Sequence, residues 1–231
     1  MELETYDEGQ FIRVIPRPVW EYTSDFDGKE MLKRLERVIR TCYKSEDKIT
    51  DGSAERMVGA IIKSGHTAML EHESVTVSIV CSRGLSHEIV RHRHCGFAQE
   101  SSRYCSYDKD KFGNKITVVK PVDFEKGTPE YDMWKNAMEN SAQAYFDLKN
   151  LLGVKNDMAR GVLPTDLKTE IVVTASLREW RAIFGLRCAN DAHPEIRLLT
   201  RGILSDMSKK IPVVFDDLAE KFLEKLTINK N

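Results

Sequence analysis

The chain has 231 residues, of which 41% are hydrophobic and 31% charged, which suits one folded domain over residues 1–231 and excludes a disordered tail. Its 35 Lys and Arg against 36 Asp and Glu leave a net charge of −1, so a globally basic nucleic-acid coat is excluded. Any work on anions must come from a local cluster of cations. The acidic opening MELETYDEGQ lacks the apolar core of a signal peptide. No stretch approaches the roughly 18–20 apolar residues that cross a bilayer, so no membrane partner is expected. The five cysteines, Cys42, Cys81, Cys95, Cys105 and Cys188, are odd in number and form no CxxC pair. A chain of this size needs no disulfide framework, and the reducing cytoplasm is the expected compartment.

In chain order, Leu32, Leu35, Ile39 and Cys42 recur at helical spacing and predict a helix over Gly28–Tyr43. A second helix is expected from Ser53 as N-cap to a stop at Gly65, with Met57, Val58, Ile61 and Ile62 on one face. The period then changes: Val75, Val77 and Ile79 alternate with Thr76 and Ser78, as in a half-buried strand. Leu85 to about Arg93 reads as helix, followed by a loop, and Lys115–Val119 as a short strand ended by Pro121. Tyr131, Trp134, Met138, Tyr145, Leu148 and Leu152 mark a long amphipathic helix closed by Gly153, with Trp134, Met138 and Tyr145 expected in the core. Ile171–Thr174 predicts a strand, Leu177–Arg187 and Pro194–Lys209 helices, and Lys221–Asn231 a solvated helix end. His87 reads as a partly buried polar residue and His193 as a helix-start residue. Helices and strands mix without regular alternation, and no GxGxxG or Walker loop occurs, so the fold class is α+β.

The chemistry concentrates in Arg91-His92-Arg93-His94-Cys95-Gly96-Phe97-Ala98-Gln99-Glu100-Ser101-Ser102-Arg103-Tyr104. Guanidinium groups are fork-like donors matched to phosphate oxygens, and serine hydroxyls complete such a cradle. Three other readings of the same residues stand beside an anion site. One is a solvated basic turn. A second is a zinc site from His92, His94, Cys95 and Cys105, although their tight spacing matches no familiar ligand pattern. The third is nucleic-acid binding by the Arg91–Arg103 cluster with Phe97 and Tyr104, which a neutral chain without a recognised motif disfavours. Further on come Arg160, before Pro164, and Arg178, Arg181 and Arg187. Singly each is explained by an ion pair with Glu170, Glu179 or Glu195; jointly they are explained by convergence on one anionic ligand.

Arg91-His92-Arg93, seven residues and then Ser101 resembles the RHR-x7-S signature of the flavin-dependent thymidylate synthases. The agreement continues in order: Gly65-His66 with Glu71-His72 before it, Ser101-x-Arg103-Tyr104 completing it, then Arg160-Gly161-x-Leu163-Pro164, Leu177-Arg178, Leu186-Arg187 and Glu195-Ile196-Arg197. It covers roughly residues 30–215. The resemblance implies a twisted antiparallel sheet with flanking helices and a homotetramer whose sites lie between subunits. It implies conversion of dUMP to dTMP with methylenetetrahydrofolate as carbon donor, reduced FAD as hydride source and NADPH as reductant. It implies that no enzyme cysteine adds to the pyrimidine, and no metal is expected.

Carried over residue by residue, the resemblance puts FAD on Arg91, His92 and Arg93, with Arg91 also bordering the nucleotide. Gln99, Glu100, Ser101, Ser102 and Arg103 form the dUMP loop, Gln99 touching the flavin as well, and Arg160 joins at the phosphate. Glu88 stands where the family often has a uracil-side glutamine. Ser176 and Arg178 match a second FAD segment, and His66 a histidine near the nicotinamide or folate side of the flavin. Arg187 and Ser101 are the implied catalytic residues, Arg187 favouring charge at N3 and so a more nucleophilic C5. The chain departs from the family at Ala98-Gln99 for Asn-Glu, Ser176 for Asn, Asp191 for His and Ala68 for a hydroxyl residue. These departures leave open a related C5 modification such as hydroxymethylation.

Overall fold

In this computed structural model, which describes residues 1, 3–107 and 112–223, helices and short strands follow one another as the mixed periodicity predicts. Three strands come first: β1 (Asp7–Glu8), β2 (Ile12–Ile15) and β3 (Val19–Tyr22). Helices α1 (Gly28–Tyr43) and α2 (Ser53–Lys63) precede β4 (Ser74–Ser82), α3 (Arg83–Ile89) and β5 (Cys95–Gln99). Then come β6 (Ile116–Val119), α4 (Pro129–Asn150), α5 (Asn156–Ala159), β7 (Lys168–Ser176), α6 (Leu177–Arg187), α7 (Pro194–Lys210) and α8 (Asp216–Phe222). One sheet has the order β1-β2-β6 and the other β3-β4-β7-β5. Residue contacts divide the chain into two compact units: Met1–Glu21, Ser78–Arg91 and Phe97–Val172 in the first, and Tyr22–Val77, His92–Gly96 and Val173 onward in the second.

In the first unit, β2 alternates Ile12 and Val14, both buried, with exposed Arg13. β1 pairs with it antiparallel and β6 parallel, in the register Ile12↔Ile116 to Ile15↔Val119. A parallel pair needs a long crossover, and about a hundred residues separate these two strands. The expected antiparallel pairing holds for β1 with β2, and the parallel β2–β6 pair stands beside it. The buried stripe of α4, Tyr131, Trp134, Met138, Ala142, Tyr145 and Phe146, falls at helical spacing and joins Ile12, Val14, Ile116 and Val118 in one core cluster. Thr128 caps the helix through its hydroxyl and Pro129 starts it, so the sequence itself sets where α4 begins. Arg83 N donates to Leu167 O and Glu100 N to Glu170 O, tying α3 and the segment after β5 to β7.

In the second unit, α1 opens on an Asp27 N-cap and buries Met31, Leu32, Leu35 and Ile39. Gly28 is required there: a Cβ would stand 1.9 Å from the Lys210 carbonyl oxygen. α6 is capped by Ser176, whose hydroxyl accepts from Glu179 N, and it buries Leu177, Trp180, Ile183 and Phe184. Leu177 N donates to Glu73 O and Thr76 Oγ1 meets Thr174 Oγ1 at 2.9 Å, an antiparallel register of β4 with β7.

Several expectations are corrected. Ser53 is the first residue of α2, not its cap; Gly52 holds the cap position at φ 67°, and the Ser53 hydroxyl exchanges bonds with Thr50. α3 ends at Ile89 rather than Arg93, and Cys95–Gln99, read as loop, is a strand, because Glu170 on β7 supplies a bonding edge. His87 is exposed, whereas His193 does start a helix, its Nδ1 accepting from Glu195 N. Trp134, Met138 and Tyr145 are buried as expected. Most of the Lys221–Asn231 segment lies outside the described residues. Among the described residues no helix is long and apolar enough to cross a membrane.

Candidate functional site

In the first unit, residues 100–107 form the turn after β5. Asn156, the first residue of α5, holds its backbone: Nδ2 reaches the carbonyls of Ser102 (2.8 Å), Arg103 (2.9 Å) and Cys105 (3.1 Å). Asn156 Oδ1 in turn accepts from Tyr145 OH at 2.6 Å and from Ser106 Oγ at 3.3 Å. One helical turn later, Arg160 Nη1 donates to the buried Ser102 hydroxyl at 3.2 Å and Nε to Asp157 O. Arg160 itself is exposed. Ser102, expected in the dUMP loop, and Arg160, expected at the phosphate, thus lie within hydrogen-bond reach of each other, a hydroxyl beside a guanidinium. Ser101 Oγ accepts from Arg103 N at 3.4 Å, and the exposed Arg103 lies over the Tyr104 ring.

Gln99 and Glu100 are anchored rather than loose. Ser86 Oγ gives its only proton to Arg83 O, so toward Gln99 it can only accept. The Gln99 amide therefore faces it with Nε2, at 2.8 Å, and the same nitrogen lies 3.2 Å from Thr169 Oγ1. That leaves the carbonyl Oε1 as the group Gln99 can offer a ligand. Glu100 pairs with Lys168 at 3.0 Å and accepts from Tyr107 OH at 3.4 Å. Burial works against the Lys168 charge, but Glu170 and Glu100 more than offset it and raise its pKa. Burial, reinforced by Glu100, pushes the Tyr107 phenol up, so it stays a donor. Glu88 is half-buried in the last turn of α3, its carbonyl accepting from Arg91 N, and the Arg91 side chain is exposed.

In the second unit, Arg93 and His94 are exposed while His92 is 7% exposed. His92 Nε2 accepts from Arg187 Nε at 3.1 Å, and Nδ1 faces Glu179 Oε1 at 3.7 Å. Burial and then the Arg187 charge push the His92 pKa down, so the ring is neutral at pH 7. Arg178 is exposed and pairs with Glu71 at 3.3 Å. Arg181 does not join any ligand group: it makes a two-pronged pair with Asp217, both contacts 2.7 Å, and also bonds Val214 O. That replaces the expected partners Glu170, Glu179 and Glu195. His66 is exposed beside Ala68 at a cavity of about 280 Å³ lined by Ile39, Cys42, Tyr43, Ile61 and Met69. Among the described residues no three His, Cys, Asp or Glu side chains gather as a metal site requires.

Sequence reasoning did not single out Asn156, Ser86, Lys168 or Thr169 as parts of this site. Asn156 stands four residues before Arg160, the same-face spacing of a helix, which was the one local signal available.

The chain is α+β, with a serine hydroxyl beside a guanidinium in the first unit and a guanidinium donating to a buried histidine in the second. Residues 23–213 match the family model described as thymidylate synthase complementing protein. The chain is 36% identical over 167 residues to the flavin-dependent thymidylate synthase of Pyrococcus furiosus, covering 72% of this chain and 67% of that one. It is 32% identical over 214 residues to that of Corynebacterium glutamicum (85% and 82%). Two solved structures share the fold. Thymidylate Synthase X (ThyX) from Helicobacter pylori, with FAD and dUMP, matches at TM-score 0.68 and 22% identity, covering 87% of this chain and 98% of that one. The UMP/dUMP methylase PolB from Streptomyces cacaoi, bound with 5-Br dUMP, matches at TM-score 0.71 and 21% identity (90% and 97%). The chain belongs to the flavin-dependent thymidylate synthase family.

Proposed function

We propose that this protein converts dUMP to dTMP, with methylenetetrahydrofolate as carbon donor, FAD as flavin and NADPH as reductant. The observation that carries the reading is the Ser102–Arg160 cradle on a turn pinned by Asn156, in a chain of this family. The exposed donors of the second unit, Arg93 and Arg178 with the Ser176 hydroxyl, fit the diphosphate of FAD; Arg91 adds a further exposed guanidinium in the first. FAD, when bound, supplies the hydride chemistry. The chain's residues do the rest: Ser102, Arg103 and Arg160 hold the nucleotide phosphate, Ser101 orients the nucleotide, and Gln99 offers it or the flavin a carbonyl acceptor. Glu88 is assigned to the uracil side and His66 to the nicotinamide or folate side. Arg187 stabilises negative charge developing on the pyrimidine, which makes C5 the nucleophile. Glu100, held by Lys168 and Tyr107, shapes the loop.

The whole chain is read as one working domain that assembles as a homotetramer in the cytoplasm. The tetramer is supported by apolar side chains left bare beside site residues: Tyr104, 77% exposed, next to Arg103, and Leu186, 64% exposed, next to Arg187. The test combines three measurements: the absorption spectrum of the purified protein, the mass of the product made from dUMP, and light scattering. Bound flavin, dTMP and a tetramer are expected. A protein that neither binds FAD nor makes dTMP would overturn the reading; a hydroxymethylated product would move it to the related reaction.

A further inference from the structure

Arg187 ends α6, and a guanidinium at a helix end has many rotamers open to it. Here its Nε–H is donated to His92 Nε2 at 3.1 Å. A ring nitrogen that accepts carries no proton, so the single imidazole proton sits on Nδ1, on the side of Glu179 Oε1 at 3.7 Å. Both nitrogens of His92 are thus turned to α6, while the flanking Arg91 and Arg93 are exposed. Nε and both Nη atoms of arginine lie in one plane, so a bond at Nε fixes the direction of the other two.

We propose that His92 is a positioning residue that aims the Arg187 guanidinium at the pyrimidine by accepting its Nε–H. This rests on the reading above, in which Arg187 stabilises charge on the nucleotide. A second proton on the ring would go to Nε2 and set N–H against N–H, so the aim of Arg187 is lost when His92 is protonated. The charged groups set against the ring are Arg187 and Glu179, both from α6. Cys95 on β5 shares Glu179, but burial and then that carboxylate push its thiol up to about 11, so it stays uncharged.

The experiment uses the flavin-loaded enzyme with two variants, His92→Gln, which keeps a non-titrating acceptor, and His92→Phe, which removes it. In the wild type, turnover of dUMP at saturation should fall on the acid side, below the ordinary histidine pKa of about 6.5. His92→Gln should lose that acid limb while keeping turnover at pH 8 within about tenfold, and His92→Phe should lose about a hundredfold in turnover there. Titration of FAD fluorescence measures flavin affinity in each variant, and turnover is compared at saturating FAD so that any loss of flavin binding is kept apart from the aim of Arg187. Independently of turnover, the Arg187 Nε–H resonance should be protected from solvent exchange in the wild type and lose protection in His92→Phe. An acid limb unchanged in His92→Gln overturns the proposal, as does an Arg187 resonance indifferent to His92→Phe. Should His92→Phe fail to fold, the acid limb in His92→Gln decides alone. A wild type that binds no FAD and makes no dTMP instead overturns the function proposed above, and the resonance still decides the role of His92.

Discussion

Replacing Asn156 by alanine removes the hub that holds the turn after β5. Its amide has two protons for three carbonyls, those of Ser102, Arg103 and Cys105, so two are served fully and one is shared. Its oxygen takes the Tyr145 hydroxyl, whose side chain is fully buried, and more weakly the Ser106 hydroxyl at 3.3 Å. Each such bond contributes about 1 kcal/mol net, so the variant should lose about 3 kcal/mol or more, with the loss of the Tyr145 hydroxyl's acceptor at the upper end of that scale. The loss has a second effect. If about half of it falls on the order of the turn in the folded protein, binding must restore that order, and about 1.4 kcal/mol is a tenfold weaker dUMP affinity. Urea unfolding gives the first quantity, as a lower midpoint at constant slope, and calorimetric titration of dUMP the second. Tyr145→Phe is the control: it removes the bond to Asn156 and the one accepted from Tyr107 N at 3.3 Å but keeps the three carbonyl contacts, so about 2 kcal/mol should be lost with dUMP affinity within about twofold. Asn156→Asp should be worse than alanine, because it sets a carboxylate against carbonyl oxygens. An Asn156→Ala protein with less than about 0.5 kcal/mol lost and unchanged dUMP affinity would refute the reasoning.

Arg187→Lys keeps the charge and loses the fork held by His92; dTMP turnover should fall on the order of a hundredfold while flavin reduction by NADPH changes far less. Equal losses in the two half-reactions would show another role. Arg160→Lys should raise the KM for dUMP before it lowers turnover, since a phosphate looks alike in ground and transition states. Burial tends to raise the pKa of Asp7, but hydrogen bonds from Lys135, Lys126 and Tyr131 outweigh it and hold the carboxyl well below the ordinary carboxylate range. A depressed carboxyl stabilises the fold above the unfolded pKa and loses that contribution as pH falls through the folded one. Asp7→Asn should therefore lower stability at pH 7 and flatten the decline below about pH 4; an identical acid profile would contradict the assignment. The thiols of Cys95 and Cys188 are pushed by burial to about 11, so neither is a thiolate at pH 7. Single Cys→Ala variants at all five positions should keep dTMP formation, and loss of turnover in a folded variant with normal dUMP binding would point to a covalent thiol.

The amino-acid sequence by itself determined the elements whose signals are local. α1 and α6 have the predicted bounds, because each carries its own cap, Asp27 and Ser176, and an apolar stripe at helical spacing. α4 announces itself by Thr128, Pro129 and the Tyr131–Phe146 stripe. The family was legible for the same reason: RHR-x7-S and the later arginines are short runs whose spacing survives without the fold, and the family match over residues 23–213 agrees with them. Only the tertiary structure decided the rest. β2 is four residues long and finds its partner about a hundred positions away, so no window of sequence contains the pairing. β5, Cys-Gly-Phe-Ala-Gln, has little strand propensity of its own and is drawn into a sheet next to β7. Partners of charged groups were equally hidden. Arg181 goes to Asp217, Glu100 to Lys168, and His92 to Arg187, 95 residues along the chain. An ion pair or a hydrogen bond selects its partner by distance in space, within about 3–4 Å, and sequence separation carries no information about it. Residue types and spacing thus set the chemistry this chain can offer, and the fold decided that Arg181 pairs with Asp217 while Arg187 donates to His92.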